Sequence, residues 1–219
     1  MSRRTVQITG RPEPYRRPNR TTTQIKRRPD RVAAWAVLLG VFMVFMAVVT
    51  AQADAGQWHK ATLGDRTLKK GTAGNDVKTL QILLTRRGFE VPGTGYFGPI
   101  TKRKVKRFQR TRGLAADGIV GPMTRGALAP RKPRKATWYG PGLYGNGMAC
   151  GGKLTKNTWG VAHKTLPCGT KVAIAHGGRI VIAPVVDRGP YAKGVSYDLT
   201  AKTARALRML STSTVRAGH

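Results

Sequence analysis

The sequence predicts a multidomain protein in which an N-terminal hydrophobic export helix precedes a small helical domain and a small closed all-β barrel. Three observations predict this organisation. Residues 32–51 form an uncharged run, apolar residues recur at helical spacing between 68 and 128, and short apolar runs alternate with glycine from Ala136 onward. A chain of 219 residues has room for two small domains behind such a helix.

The N-terminal region has the charge pattern of an exported protein. Residues 1–31 carry ten Lys and Arg against two acidic residues, with several prolines and no apolar periodicity, so we expect a disordered cytoplasmic segment. Residues 32–53 are predicted to be a signal or transmembrane helix. The sequence Ala51-Gln52-Ala53 before Asp54 suits signal peptidase, and both cleavage and retention as a membrane anchor stay open.

The overall charge predicts anionic partners. A formal net charge of +31 exceeds what solubility requires. Nucleic acid, membrane surfaces and anionic wall polymers would all be attracted by such a field. Export argues against nucleic acid, so we expect an extracytoplasmic protein, in the cell wall or anchored to the membrane with its C-terminal domains outside, and monomeric.

A helical domain is predicted over residues 65–128, after a spacer at 54–64. The first helix is expected to begin at Asp76 and end at Gly88, the second to begin at Gly98-Pro99, and a third, short helix to lie near 124–128. Residues 129–135 are rich in proline and positive charge, which predicts an extended linker of about 20 Å.

A family pattern runs through this helical region. Its positions are Asp76, Val77, Leu80, Gln81, Leu84, Gly88, Phe97, Gly98, Thr101, Val105, Phe108, Gln109, Gly113, Leu114, Asp117, Gly118, Val120, Gly121, Thr124 and Leu128. Together they resemble the peptidoglycan-binding domain type 1 family, a three-helix wall-binding module. Lys and Arg at 102–107 fill the solvated face of the second helix, and we expect them to meet anionic wall polymers or peptide-stem carboxylates.

Residues 136–211 are predicted to form the barrel, followed by a tail at 212–219. Short strands are expected at 137–142, 159–163, 170–174 and 179–186, and one helix at 201–210. About eighty residues with many short strands are typical of a small closed barrel.

A second resemblance covers most of this region. It rests on the segments Trp138-Tyr139-Gly140-Pro141-Gly142, Ala162-His163-Lys164-Thr165-Leu166-Pro167, Gly169-Thr170-Lys171-Val172, Val186-Asp187-Arg188-Gly189-Pro190-Tyr191 and Asp198-Leu199-Thr200. These segments resemble the rare lipoprotein A family, a six-stranded double-psi β-barrel related to expansins. Several members are lytic transglycosylases that act on peptidoglycan glycan strands. The resemblance implies no metal and no cofactor, with Asp187 as the catalytic acid/base and His163 beside it in the groove.

One departure from the family leaves two functions open. Active members carry an acidic residue shortly before the Ala-His motif, where this chain has Gly151-Gly152-Lys153. A lytic transglycosylase can work with one carboxylate, because the substrate's own hydroxyl is the nucleophile. The first hypothesis is therefore a peptidoglycan-binding lytic transglycosylase, and the alternative is a non-catalytic, expansin-like wall-binding or wall-loosening protein.

The residues themselves leave several roles open. Asp187 and Asp198 are the only acidic residues after position 135. Asp187 ends an apolar strand, just before the turn at Gly189-Pro190. It is expected either to accept hydrogen bonds from the backbone of that turn or to act as a catalytic acid/base. Asp198 precedes a helix, so capping is expected, and His163 either assists Asp187 or bonds backbone. The side chains expected to line a sugar groove are Tyr139, Tyr144, Arg188, Tyr191 and Tyr197.

The two cysteines are expected to pair. Cys150 and Cys168 are the only cysteines, and an exported protein folds in an oxidising compartment. The disulfide would contribute about 3 kcal/mol to stability in the chain-entropy description. The alternative is a metal site formed with His163 and His176, although the spacing matches no common zinc pattern.

Overall fold

The computed structural model describes residues 62–219, which fall within one compact unit. A helical module comes first in this part of the chain and a closed six-stranded barrel follows. Within these residues, every helix is too short or too polar to cross a bilayer. The predictions made for 1–31, 32–53 and the spacer up to residue 61 lie outside the described residues.

The helical module has the three helices that the sequence predicts. They are α1 Asn75–Arg86, α2 Pro99–Thr111 and α3 Pro122–Leu128. Helices α2 and α3 each begin with a proline after an extended glycine, where the missing N–H would have no partner within the helix. The module's largest fully buried side chains are Leu63, Leu68, Leu80, Leu84, Phe97, Phe108 and Leu128.

Two buried glutamines fasten the module in the same way. Gln81 on α1 and Gln109 on α2 each donate to the carbonyl of a turn and to the threonine of the next helix, and each accepts from a glycine N–H. The partners are Tyr96, Thr101 and Gly95 for Gln81, and Ile119, Thr124 and Gly118 for Gln109, at 2.7–3.2 Å. The helix–turn–helix unit is therefore built twice, with one amide satisfying each turn.

The barrel closes in the strand order β1-β5-β2-β4-β3-β6. Its strands are β1 Pro133–Tyr139, β2 Val161–Ala162, β3 Lys171–His176, β4 Arg179–Asp187, β5 Tyr197–Thr200 and β6 Ser213–Gly218, with helix α4 Ala201–Ala206 after β5. Strands β1 and β5 are parallel, as are β2 and β4, and the other pairs are antiparallel. Closure leaves no free sheet edge.

The expected tail at 212–219 is wrong, because β6 occupies 213–218 and pairs with both β1 and β3. Val215 and Ala217 are buried and their neighbours point outward, a period-two pattern that is too short to stand out in the sequence. The predicted helix at 201–210 ends instead at Ala206.

The predicted extended linker at 129–135 is also wrong. Strand β1 already begins at Pro133, and the module packs directly on the barrel. Ile180 of β4 lies in the same hydrophobic cluster as the module core and forms a β-bridge with Leu63. Asp65 forms an ion pair with Arg179. Apolar residues on the outer face of the barrel therefore hold the two domains together.

Candidate active site

Asp187 lies at the end of β4 and its carboxylate is held on several sides. Oδ1 accepts hydrogen bonds from the backbone N–H groups of Ala149 and Arg188, both at 2.8 Å. Oδ2 accepts from the Tyr139 hydroxyl at 3.4 Å. The side chain is half-buried. The predicted catalytic residue thus has a fixed position with part of its surface open to solvent.

A bulge between β2 and β4 determines where Asp187 lies. Val161 pairs with Val185, but the next β2 residue, Ala162, pairs with Asp187, so Val186 is the extra residue. Just before the bulge, the segment that leads into β2 lies very close to β4. A Cβ on Gly160 would lie 2.5 Å from a methyl carbon of Val186, so only glycine fits there.

Asp198 lies on the other side of the same short strand. Ala162 pairs with Asp187 on β4 and with Asp198 on β5, which places the two aspartates two strand spacings apart, roughly 10 Å between Cα atoms. Asp198 Oδ1 accepts from the Thr137 hydroxyl at 2.8 Å. Burial raises the pKa of Asp198, and the negative charge of Asp187 raises it further.

The capping role expected for Asp198 is wrong. Thr200, at the N-cap position of α4, makes no side-chain cap bond, and its hydroxyl donates to Thr158 O at 2.8 Å. Asp198 lies inside β5 instead. The sequence places it three residues before the start of a helix, but only the pairing of β2 with both β4 and β5 shows that it faces the region of Asp187.

Tyr139 donates a hydrogen bond to Asp187 and lies within range of the charge of Asp198. Burial raises the pKa of Tyr139, and the nearby charges of Asp187 and Asp198 raise it further. The phenol therefore keeps its proton and remains a donor to Asp187. Tyr139 was expected to stack on a sugar ring, yet its hydroxyl is directed at the carboxylate.

His163 contacts Asp187 with its backbone N–H and not with its imidazole ring. Its N–H donates to Asp187 O at 3.2 Å, while ring Nδ1 accepts from the N–H groups of Thr165 and Leu166 at 3.2 and 3.0 Å. Burial lowers the pKa of His163, with smaller contributions from His219 and Arg188. At neutral pH the ring is neutral, carries its proton on Nε2, and makes no hydrogen bond to Asp187 among the described residues.

Arg188 braces the loop that follows β2. Its guanidinium donates to the carbonyls of Leu166 and His163 at 3.0 and 3.5 Å, and to Cys168 Sγ at 3.3 Å. Most of its donors therefore point at the protein itself. Only the remaining N–H groups of Arg188 are available for the predicted contact with glycan.

The remaining predicted groove tyrosines differ in accessibility. Tyr191 is 86% exposed and Tyr144 is 40% exposed, so both rings can meet a ligand. Tyr197 is only 4% exposed and belongs to the barrel core, so its predicted role in sugar stacking is wrong. Trp138, which was not among the predicted groove residues, is 38% exposed and donates from its indole N–H to Leu210 O at 3.2 Å.

Cys150 and Cys168 form the expected disulfide, with 5.6 Å between their Cα atoms. The pairing removes both thiols from the alternative metal site. The bond joins the loop that contributes the Ala149 N–H to the loop braced by Arg188. Lys153 is exposed, and the segment Gly151-Gly152-Lys153 places no carboxylate near Asp187.

Two family patterns match separate parts of the chain. The family described as "Putative peptidoglycan binding domain" matches residues 73–128, and the family described as "Lytic transglycolase" matches residues 134–218. The first range is the helical module and the second is the six-stranded barrel. Both of the resemblances seen in the sequence are therefore confirmed.

Similar proteins share parts of this chain. "Probable endolytic peptidoglycan transglycosylase RlpA" of Synechocystis sp. is 42% identical over 74 residues, which are 33% of this chain and 23% of that protein. "Zinc D-Ala-D-Ala carboxypeptidase" of Streptomyces albus G is 42% identical over 81 residues, 36% of this chain and 32% of that protein. The chain thus spans about a third or less of the length of these curated relatives.

A solved structure is also similar. The crystal structure of a peptidoglycan-binding protein from Clostridioides difficile is 43% identical and has a TM-score of 0.29. The similarity covers 29% of this chain and 40% of that chain.

Proposed function

We propose that this chain, which joins a peptidoglycan-binding module to an RlpA-like double-psi β-barrel, is a cell-wall protein that cleaves peptidoglycan glycan strands as a lytic transglycosylase. The observation that carries the proposal is the pair of carboxylates, Asp187 and Asp198, on either side of Ala162, with the Tyr139 hydroxyl directed at Asp187. The similar transglycosylases support the reaction type.

The proposed reaction needs one proton donor and one proton acceptor. Asp187, as the acid/base, gives a proton to the glycosidic oxygen as the bond to the muramic acid C1 breaks. The muramic acid 6-hydroxyl oxygen then bonds to C1, and its proton returns to the carboxylate, which leaves an anhydro sugar and a free hydroxyl. Asp198, with its raised pKa, is the neighbouring group best able to hold a proton, and Tyr139 donates to the carboxylate between steps.

His163 and Arg188 have supporting roles in this proposal. The His163 backbone N–H fixes the end of β4, and the Arg188 guanidinium holds the loop that carries the His163 ring. The exposed rings of Tyr144 and Tyr191 are the proposed contacts with the pyranose faces. We further propose that residues 32–53 direct export, whether cleaved or retained as a membrane anchor, and that the protein acts as a monomer.

A specific observation favours the expansin-like alternative. The acidic residue of active family members is replaced by Gly151-Gly152-Lys153, and the loop from Gly140 to Thr158 contains no carboxylate at all. Asp187 and Asp198 must therefore supply all the acid/base chemistry. If they cannot, the same groove would bind and loosen glycan without cleaving it.

Product analysis distinguishes the two functions. The full chain and its Asp187→Asn variant would be incubated with purified glycan strands, and the products identified by mass spectrometry. We expect anhydro-ended fragments from the parent and none from Asp187→Asn. The matched control is Glu90→Gln, which removes an exposed carboxylate from the helical module and should cleave at the parent rate. Intact strands from the parent, with binding retained, would contradict the enzyme and support the alternative.

A further inference from the structure

A strongly basic cleft lies where the helical module meets the barrel. We call it the junction cleft; its volume is about 550 Å³. Its cationic lining residues are Arg86, Arg87, Arg112, Arg131, Lys132 and Arg134, and no Asp or Glu side chain lines it. Apolar residues from both domains, among them Leu83 and Ala173, complete the walls. The cleft exists only because the two domains pack together.

The cations of the cleft form no ion pair within residues 62–219. Ion pairs in this part of the chain join Arg66 to Asp76 and Arg179 to Asp65, and none involves a residue of the cleft. Burial lowers the pKa of Arg87, and the charges of Arg112 and Arg131 lower it further. The guanidinium groups thus repel one another, and an anion placed between them would relieve that repulsion.

Several of these guanidinium groups are held in place by the protein. Arg87 Nη2 donates to Ala129 O at 2.8 Å and to Leu128 O at 3.2 Å. Arg86 Nη2 donates to Lys171 O at 2.7 Å, which crosses from the module to the barrel. Arg112 lies over the Phe108 ring at 5.5 Å from its centroid. Each guanidinium group still has N–H donors that are free to bind a ligand. The cleft is therefore preorganised for binding.

The cleft extends toward the candidate active site. Tyr197 and His219 form part of its lining. The Tyr197 ring lies 5.0 Å from the ring of His163, whose N–H bonds the Asp187 backbone. A polymer held in the cleft would therefore be close to the loop that supports the catalytic aspartate.

We propose that the junction cleft binds a linear phosphodiester polymer of the cell wall, with one phosphate per repeat unit, such as a polyol phosphate. Five of the six cations are arginines, whose planar forks match phosphate oxygens in pairs. Successive phosphates of one polymer can neutralise several guanidinium groups of the cleft at once, whereas isolated peptide-stem carboxylates would leave most of them unpaired. This inference rests on the proposed wall location but not on glycan cleavage.

The test uses a soluble poly(glycerol phosphate) as the probe. Its affinity for the full chain in mild detergent would be measured by calorimetry at about 0.15 M salt, where surface electrostatics are screened beyond about 8 Å. The cleft variant is Arg131→Glu with Lys132→Glu, two exposed side chains whose replacement leaves the core intact. The matched control is Lys202→Glu with Arg205→Glu, exposed residues on α4 that lie outside the cleft and give the same change in net charge.

We expect the cleft variant to bind at least about tenfold more weakly, because two charge-assisted contacts are replaced by repulsion, and the control variant to lose less than about threefold. Equal losses in the two variants would overturn the proposal, since they would indicate only a general positive field. Absence of binding to the parent would do the same.

Two further probes define the ligand. A carboxylate polymer of equal charge that binds as tightly as the phosphate polymer would contradict phosphate recognition. A single-stranded oligonucleotide of equal charge that binds more tightly would contradict a wall polymer as the ligand. Cleavage of glycan strands is measured separately with Asp187→Asn, so failure of that reaction leaves this binding test interpretable.

Discussion

The helical module and the barrel use their polar residues in opposite ways. In the module, the buried amides of Gln81 and Gln109 form hydrogen bonds with the protein's own turns and with a threonine of the next helix. In the barrel, Asp187, Asp198 and Tyr139 gather on one side of a two-residue strand, and the pKa of Asp198 is raised by its surroundings. The satisfied amides stabilise the fold of the module. In the barrel, by contrast, two carboxylates lie close together, which lowers stability when both are charged. The comparison indicates that the module supplies stability and the barrel supplies chemistry.

After the loss of products expected of Asp187→Asn, the largest expected effect comes from Asp198→Asn. Asparagine keeps an oxygen that can accept from the Thr137 hydroxyl but cannot hold a transferable proton. We expect glycan cleavage to fall about 100-fold, the range typical of a lost acid/base group, with binding of glycan retained. Cleavage rates of purified strands would be compared with those of Glu90→Gln. Cleavage at the parent rate would show that Asp198 has no part in the chemistry.

The same variant should be more stable than the parent at neutral pH. Because burial raises the pKa of Asp198, the folded protein binds a proton there more tightly than the unfolded chain does. The parent therefore loses stability as pH rises from the ordinary carboxyl pKa through the raised one, and Asp198→Asn does not. Urea unfolding at pH 7 and at pH 3 would measure the difference in free energy of unfolding. A variant no more stable than the parent at pH 7 would contradict this expectation.

The second expected effect is on stability and comes from Gln109→Ala. The change leaves the Gly118 N–H and the Ile119 carbonyl without their partner and should lower the free energy of unfolding by about 2 kcal/mol. Arg107→Ala, an exposed residue of the same helix, should change it by less than about 0.5 kcal/mol. Denaturant unfolding would measure both. At denaturant concentrations below the unfolding transition, Gln109→Ala should cleave glycan at the parent rate. A slower rate would contradict the view that this glutamine stabilises the fold without a part in catalysis.

The smallest expected effect comes from Tyr139→Phe. Phenylalanine keeps the packing of the ring and removes the donor that lies 3.4 Å from Asp187 Oδ2. We expect the cleavage rate to fall about fivefold, equivalent to roughly 1 kcal/mol. Tyr96→Phe is the matched control, because that exposed tyrosine lies in the helical module and its hydroxyl makes no hydrogen bond to Asp187 or Asp198 within residues 62–219. Equal rates for the two variants would show that the hydrogen bond from Tyr139 to Asp187 does not assist cleavage.

Local patterns were enough to predict most elements of the module. The Gly-Pro pairs before α2 and α3 and the apolar spacing of each helix act within a few residues. A repeated pattern is also present in the sequence: Gly98-Pro99 is followed by Thr101, and Gly121-Pro122 is followed by Thr124. Its structural role depends on hydrogen bonds with Gln81 and Gln109, which lie on the preceding helices.

The barrel was less predictable because its strands are short and pair with distant segments. Strand β6 lies in what was expected to be a tail, and β2 contains only two residues. A strand of that length has no detectable period, so its neighbours cannot be inferred from it. Tyr197 lies in the barrel core rather than in the groove, and its neighbours in the sequence do not show which side of a closed barrel it faces.

The sequence by itself determined the two domain types, the cysteine pair and the location of Asp187 at the end of an apolar strand. These follow from composition, short-range periodicity and turn residues, which act locally. Only the tertiary structure brought Asp198 and Tyr139 to Asp187, buried Tyr197, and packed the module on the barrel to form the junction cleft. Strand register and domain packing depend on contacts between residues far apart in the chain, and no local pattern specifies them.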